Sequence, residues 1–253
     1  MVKLNTEMVP PLRDGDRLSG EEYWRRYLAS AEGTRAELLD GVVHLHRRGD
    51  ECLFPEDEFM APASDGFHCE PQLSLGSFLH QYATFTTGTR ASLQPTLILP
   101  TSVTKPEPDS LLRVLPECGG RSWHDADGWL HGVPELLCEV ANSSARIDLG
   151  VKYDNYEANG VAEYIVWRTV AGLFDWFVLK RKKYVPLTPD PADGYLKSVA
   201  FPGLWLDVAA LLAGDGRTVL AVLQQGLATP EHAAFEAKLT AAAVKNAKPK
   251  KRK

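Results

Sequence analysis

The chain predicts an α/β fold with an appended helical end, on three observations. Residues 134–141, Pro-Glu-Leu-Leu-Cys-Glu-Val-Ala, form an apolar run of strand length, followed directly by a helical stretch over 146–159. Residues 35–46 alternate apolar and polar positions around Asp40-Gly41, a strong hairpin signal. Thr229-Pro230-Glu231 opens a last helix, with threonine as its cap and proline in its first turn. A length of 253 residues allows one large domain or two small ones. With no internal repeat and no linker before about residue 240, one α/β domain is the economical reading.

Residues 1–18, polar and carrying Pro10-Pro11, read as a flexible leader. Ser19-Gly20-Glu21-Glu22 has the form of a capping box, and its helix, to about Ala31, puts Tyr23, Trp24, Tyr27 and Leu28 on one side. The hairpin follows, then a polar, proline-containing loop over 48–66. Leu73, Leu75, Phe78, Leu79 and Tyr82 mark a second helix from His68 to about Thr86, closed by Gly88. Short strands are expected near 90–94, 96–100 and 109–115, then a Gly-, Asp- and Ser-rich loop over 116–128. After the buried strand and its helix, Gly160 stands where a C-cap glycine belongs. Residues 163–168, 172–180 and 182–187 read as strands, the later ones a meander, and 201–206 leads into two short helices. Trp167, Trp176, Phe177 and Trp205 lie in apolar strand-like runs and are expected in the core.

Composition excludes several classes. No apolar stretch approaches the roughly 20 residues of a membrane helix, and the N-terminus has no signal-peptide core. Cys52, Cys69, Cys118 and Cys138 are scattered without a Cys-x-x-Cys pair, which reads as reduced thiols in a cytoplasmic protein. His44, His46 and His68 with Cys52 and Cys69 match no standard zinc spacing. Net charge is -5, and setting aside the six cations of 245–253 leaves -11 on the remainder. Such a body has no broad basic face for indiscriminate DNA binding. The tail either grips phosphates or is a solvated run that aids solubility.

The chemistry lies in the strand carboxylates. Glu139 sits mid-strand in an apolar run, Asp109 follows Pro108 at the start of another, and Lys152 stands four residues after Asp148 on the next helix. Buried charges are tolerated when paired or when they hold a metal. Asp109 and Glu139 are 30 residues apart and so fall on different strands. Two rigid carboxylates and a lysine are the parts of a metal-dependent phosphodiesterase: oxygen ligands for magnesium and a cation for the water or the developing charge. Taken singly, Asp148 and Lys152 form an ordinary i,i+4 pair, Asp109 ends a turn, and Glu37 on a hairpin strand faces water.

The ordered set Glu37-Leu38-Leu39-Asp40-Gly41, His68, Pro108-Asp109, residues 134–140, Asp148-x-x-x-Lys152-x-x-x-Tyr156, Gly160-Val161-x-Glu163-Tyr164 and Pro202-Gly203-Leu204 resembles the Uma-two family. That family groups bacterial restriction endonuclease-like proteins of the PD-(D/E)XK nuclease superfamily. The resemblance covers roughly residues 20–212. It implies a restriction-endonuclease-like mixed β-sheet core flanked by helices, and a magnesium site, with manganese as a substitute, acting on DNA. Carried over by residue, Asp109 and Glu139 hold the metal, Lys152 is the site lysine, and Glu37 supports metal or water. His68 and Asp148 are accessory candidates, and Tyr156 reads as packing. Implied units are a leader over 1–18, a nuclease-like domain over 19–212, a helical extension over 213–244 and a basic, disordered tail over 245–253. Two departures stand out: the superfamily lysine position, two after the second acid, is Ala141, and Asn142-Ser143-Ser144 replaces a Ser-Pro-Ser-like turn. The first departure favours the alternative of a catalytically silent nuclease-fold binding or assembly module. Cutting two strands is compatible with a homodimer, though nothing in the chain specifies an interface.

Overall fold

The computed structural model describes residues 9–30, 34, 36–45, 65–101, 105–142 and 144–247. Helix α1 (Gly20–Leu28) starts where Ser19 Oγ accepts the Glu22 N–H at 3.1 Å. The reciprocal half of the capping box is not made, because Glu22 pairs instead with Arg25 at 2.8 Å and Arg26 at 2.6 Å. Strands β1 (Ala36–Leu39) and β2 (Val42–Leu45) form the expected hairpin. Its turn residues Asp40 and Gly41 have φ of 48° and 74°, the paired positive values of a type I′ turn. The second half of the expected leader is not loose: Gly15 N–H bonds to Val43 O and Leu18 N–H to Gly41 O, both at 2.8 Å. Along the same edge of β2, Arg17 bridges Val42 and the Val43 N–H donates to Asp16 O at 2.9 Å. Residues 1–8 lie outside the described residues, as do the loop over 48–64 and the tail beyond 247.

Helix α2 (Glu70–Phe85) is preceded by a π-helical turn over Asp65–Cys69. Strands β3 (Thr89–Leu93), β4 (Leu97–Ile98) and β5 (Ser110–Val114) follow. The expected loop over 116–128 contains a 3-10 turn and strand β6 (Ser122–His124), which pairs with β7 (Leu130–Gly132); β7 in turn pairs with β4. Strand β8 (Leu136–Ala141) leads into the short helix α3 (Ala145–Ile147), a π turn over Asp148–Lys152, and α4 (Tyr153–Asn159). The expected single helix is thus broken, with Gly150 at φ -111° and ψ -105°. Gly160 ends α4 in the left-handed conformation, φ 77°, as expected. Strands β9 (Glu163–Arg168), β10 (Leu173–Lys180) and β11 (Lys183–Pro186) form the meander.

The main sheet has the order β11-β10-β9-β8-β5-β3, and its β8–β9 pair is parallel while the others are antiparallel. A parallel pair needs a crossover, and the α3–α4 segment supplies it. Because side chains alternate along a strand, β8 serves two cores. Leu136, Cys138 and Val140 join α2 and the C-terminal helices, whereas Leu137 and Ala141 join Tyr156 and Tyr164. Glu139 shares the face of Leu137 and Ala141, toward α4.

Beyond the small pair β12 (Leu196–Lys197) and β13 (Trp205–Leu206) come α5 (Val208–Leu212), α6 (Gly216–Leu227) and α7 (Pro230–Ala247). α6 is longer than expected at 12 residues, and α7 carries Lys245 within it rather than in a tail. Val219, Leu223 and Leu239 bury against the α2 core. Trp167 and Trp176 are core residues as expected; Phe177 and Trp205 are half-buried, Trp205 lying under the Lys197 ammonium at 4.1 Å.

Candidate active site

Four elements bring the predicted residues together. The antiparallel register pairs Ser110 with Cys138, so one further step sets Asp109 opposite Glu139. There Asp109 Oδ2 accepts the Val140 N–H at 2.7 Å, doing with a side chain what a continued β5 backbone would do. Gln72 Nε2 of α2 braces the other oxygen of Asp109 at 3.3 Å. From the π turn, Lys152 Nζ reaches Glu37 Oε1 at 3.0 Å, Glu139 Oε1 at 3.3 Å and Asp148 Oδ1 at 3.6 Å. The lysine therefore does reach back over the strand, helped by the extra residue per turn of the π segment and the break at Gly150.

Burial dominates the electrostatics. It pushes the Glu139 carboxyl well above its usual range, with Lys152 pulling back and Asp148, Asp109 and Glu37 adding repulsion. Burial likewise raises Asp148 to about 6, opposed by Lys152 and by the Ser144 hydroxyl, which donates to Asp148 Oδ2 at 2.6 Å. Asp109 is raised by burial and held back chiefly by His68 and the Val140 N–H. Burial alone would lower Lys152, yet Glu139, Glu37 and Asp148 hold it well above its ordinary value. The lysine is a fixed positive charge.

Several contributors escaped the sequence reading. Tyr156, taken as packing, donates its hydroxyl to Glu139 Oε1 at 3.0 Å. Its spacing of four from Lys152 was the available signal. The Glu107 N–H donates to Glu37 Oε1, and Tyr164 OH to Asp148 O at 2.9 Å. Glu37 does not face water; it is buried. His68 lies beside Asp109, its Nε2 at 3.5 Å from Asp109 Oδ1 and its Nδ1 at 3.1 Å from Val140 O.

The candidate donors are carboxylate oxygens, the ligand type that magnesium takes. Three buried carboxyl groups share the Lys152 ammonium, with Asp109 beside Glu139 at their edge. No three His, Cys, Asp or Glu side chains among the described residues form a group that could hold a metal ion. Magnesium commonly takes only one or two carboxylates and completes its shell with water and substrate oxygens. Asp109 and Glu139 are the pair that would serve. The loose zinc set finds no support: Cys69 is exposed, and His46 and Cys52 lie outside the described residues.

No helix among the described residues is long and apolar enough to cross a membrane. No protein of curated function matches the chain. Among solved structures, the chain is similar to a crystal structure described as "a putative nuclease belonging to DUF820 from Anabaena variabilis ATCC 29413". The similarity has a TM-score of 0.53 at 12% identity and covers 78% of this chain and 98% of that one, which establishes a shared nuclease-like fold. The model of the Uma2 family, described as "Putative restriction endonuclease", matches residues 54–209, more than half of the sequence, and the chain belongs to that family.

Proposed function

We propose that the protein is a metal-dependent endonuclease that hydrolyses DNA phosphodiester bonds at the Asp109–Glu139–Lys152 cluster. The observation that carries this reading is the convergence of Lys152 on Glu37, Glu139 and Asp148, with Asp109 opposite Glu139, one step past the Ser110–Cys138 pair. A merely structural ion pair needs one carboxylate. An excess of buried carboxylates around a single ammonium is costly unless another cation shares them or some of them take up protons.

Asp109 and Glu139 would hold magnesium, or manganese in its place. When bound, such an ion polarises the phosphate and acidifies water. The chain's own residues do the rest. Lys152 keeps its proton and so serves as a fixed charge that orients Glu139 and offsets charge developing on the phosphate. Glu37 and Asp148 hold the Lys152 ammonium in place from two further directions, and Tyr156 fixes the carboxylate plane of Glu139. Ala141, at the superfamily lysine position, is buried, and Lys152 takes over that position's charge from the crossover.

The test is cleavage of supercoiled and linear plasmid DNA with magnesium or manganese, for the wild type beside Asp109→Asn and Glu139→Gln. Metal-dependent nicking that both substitutions abolish supports the reading. DNA binding without cleavage under any metal would replace it with a silent binding module.

A further inference from the structure

We infer that the β3 edge of the main sheet, with the helix α2 beside it, is the surface on which a second copy of this chain docks. The two β3 strands pair antiparallel about a twofold axis at Ser92. This inference does not depend on the metal-site reading above.

The backbone register sets the pattern of the edge. Leu115 N–H bonds to Gly88 O and Gln94 N–H to Asp109 O, so the even-numbered residues of β3 face β5 and the odd-numbered ones face outward. Of the outward groups, those of Thr89 are occupied: its N–H bonds to Thr86 O at 3.3 Å and its C=O accepts from Arg90 Nη1 at 3.1 Å. Among the described residues, none takes the N–H or C=O of Ala91 or Leu93, and β3 ends the order of the sheet. Those groups match one arrangement of a second copy. With the axis at Ser92, Ala91 pairs with the partner's Leu93 and Leu93 with the partner's Ala91, and every one of the outward groups gains a hydrogen bond.

Side chains fit the same register. Ser92 meets its own counterpart, Leu93 crosses to an alanine, and Arg90 falls opposite the partner's Gln94, so no like charges oppose each other. The two ends of the sheet also differ. β11 carries Lys183 and Pro186, residues that discourage edge pairing, whereas β3 has neither lysine nor proline and runs against β5 without a bulge.

The helix adds an independent observation. α2 lies over β3, with the Leu93 side chain against Gly76. Residues 71–85 contain no Asp, Glu, Lys or Arg, although Ser74, Ser77, His80 and Thr84 are exposed. Leu73, one turn before Gly76, is 64% exposed and Leu93 is 55% exposed. An uncharged helix face with open leucines beside an unpaired edge has the composition of an interface centre, where charge is depleted. The twofold axis sets both α2 helices on one side of a continuous sheet.

Sedimentation of the full chain is expected to give twice 27.9 kDa, with a dissociation constant of about 1 µM or tighter. Ala91→Pro deletes an outward N–H that the single chain does not use, and edge strands tolerate proline, so it should fold by circular dichroism and sediment as a monomer. Leu73→Glu should weaken association by at least about tenfold. Ser92→Cys should form an intermolecular disulfide on mild oxidation, because directly opposed residues of such a pair have Cα atoms about 4.5 Å apart. Wild type, which carries the exposed Cys69, is its control. This cross-link keeps the test open should Ala91→Pro misfold. A wild type that stays monomeric at about 100 µM overturns the inference. Slow exchange of the Ala91 and Leu93 amides in that monomer would show another part of the same chain on the edge. A dimer that survives both Ala91→Pro and Leu73→Glu, and does not cross-link through Ser92→Cys, has its interface elsewhere and overturns the inference as well.

Discussion

Tyr156 and Lys152 meet on one atom, Glu139 Oε1, the phenol at 3.0 Å and the ammonium at 3.3 Å. They come from successive turns of the same crossover, so one helical segment sets both the charge and the orientation of the strand carboxylate. Tyr156→Phe keeps the ring packed edge-on against Tyr164 at 5.0 Å but removes the hydrogen bond. The expected cost is about 1–3 kcal/mol of stability, as for a hydrogen bond to a charged group, and roughly a tenfold loss of cleavage rate. Urea denaturation and a plasmid-nicking assay check the two halves separately.

Lys152→Ala should be far more damaging. It strands Glu37, Glu139 and Asp148 without their ammonium, which is expected to cost about 3–5 kcal/mol. Part of that loss should return at pH 5, where the stranded carboxyls take up protons. A denaturation midpoint that is equally low at pH 5 and pH 8 would contradict this account.

The wild type should also respond to pH. Asp148 is held at about 6 against an ordinary 3.8, and Glu139 and Asp109 are raised as well. The folded state thus binds protons more readily than the unfolded one, and stability rises as pH falls from 7 through about 6 toward 4. The gain should be on the order of 1–3 kcal/mol. Further acidification reverses the trend as surface carboxylates with lowered values, such as Asp125 and Asp190, lose their partners. Denaturation at pH 4.5, 6 and 8 tests the sign; stability that climbs steadily to pH 8 would refute it.

Glu163 offers a contrast within the same sheet. Its buried carboxylate accepts from Trp176 Nε1 at 3.0 Å, Ser198 Oγ at 2.8 Å, Val199 N at 2.6 Å and Ala200 N at 2.8 Å. Glu163→Gln turns an acceptor into a donor facing donors, for an expected loss of about 1–3 kcal/mol. Metal binding should not change, since this carboxylate faces the opposite core. Thermal melts and calorimetry of the same variant decide both points.

The site's carboxylates were legible because charge inside an apolar strand is anomalous, which picks out Glu139 and, beside Pro108, Asp109. Lys152 was legible only with Asp148, through their spacing of four. Glu37 was harder: alternation on a two-stranded hairpin sends half its side chains outward, and nothing local says that the crossover covers that face. The break at Gly150 was hidden because apolar spacing in a short segment cannot distinguish an α turn from a π turn. Strand β6 was missed because Ser122, Trp123 and His124 lie among turn-forming residues and pair over only three positions. One of its anchors comes from the preceding strand: Arg113 Nη1 of β5 donates to Ser122 O at 3.3 Å.

The β1–β2 hairpin lies outside the main sheet; a backbone bridge joins Leu38 to Lys105, and two side-chain links tie it to the crossover, Asn155 Nδ2 donating to Asp40 Oδ1 at 3.1 Å and Lys152 Nζ lying 3.0 Å from Glu37 Oε1. The ammonium of Lys152 is therefore a rivet as well as a charge, fastening an N-terminal flap to the crossover 115 residues later in the chain. Pulling that rivet loosens the flap: in Lys152→Ala the amides of 36–45 should exchange with solvent sooner than those of β8 and β9. Any agent that competes for Glu37 then speaks to the mechanics of the N-terminus as directly as to the chemistry.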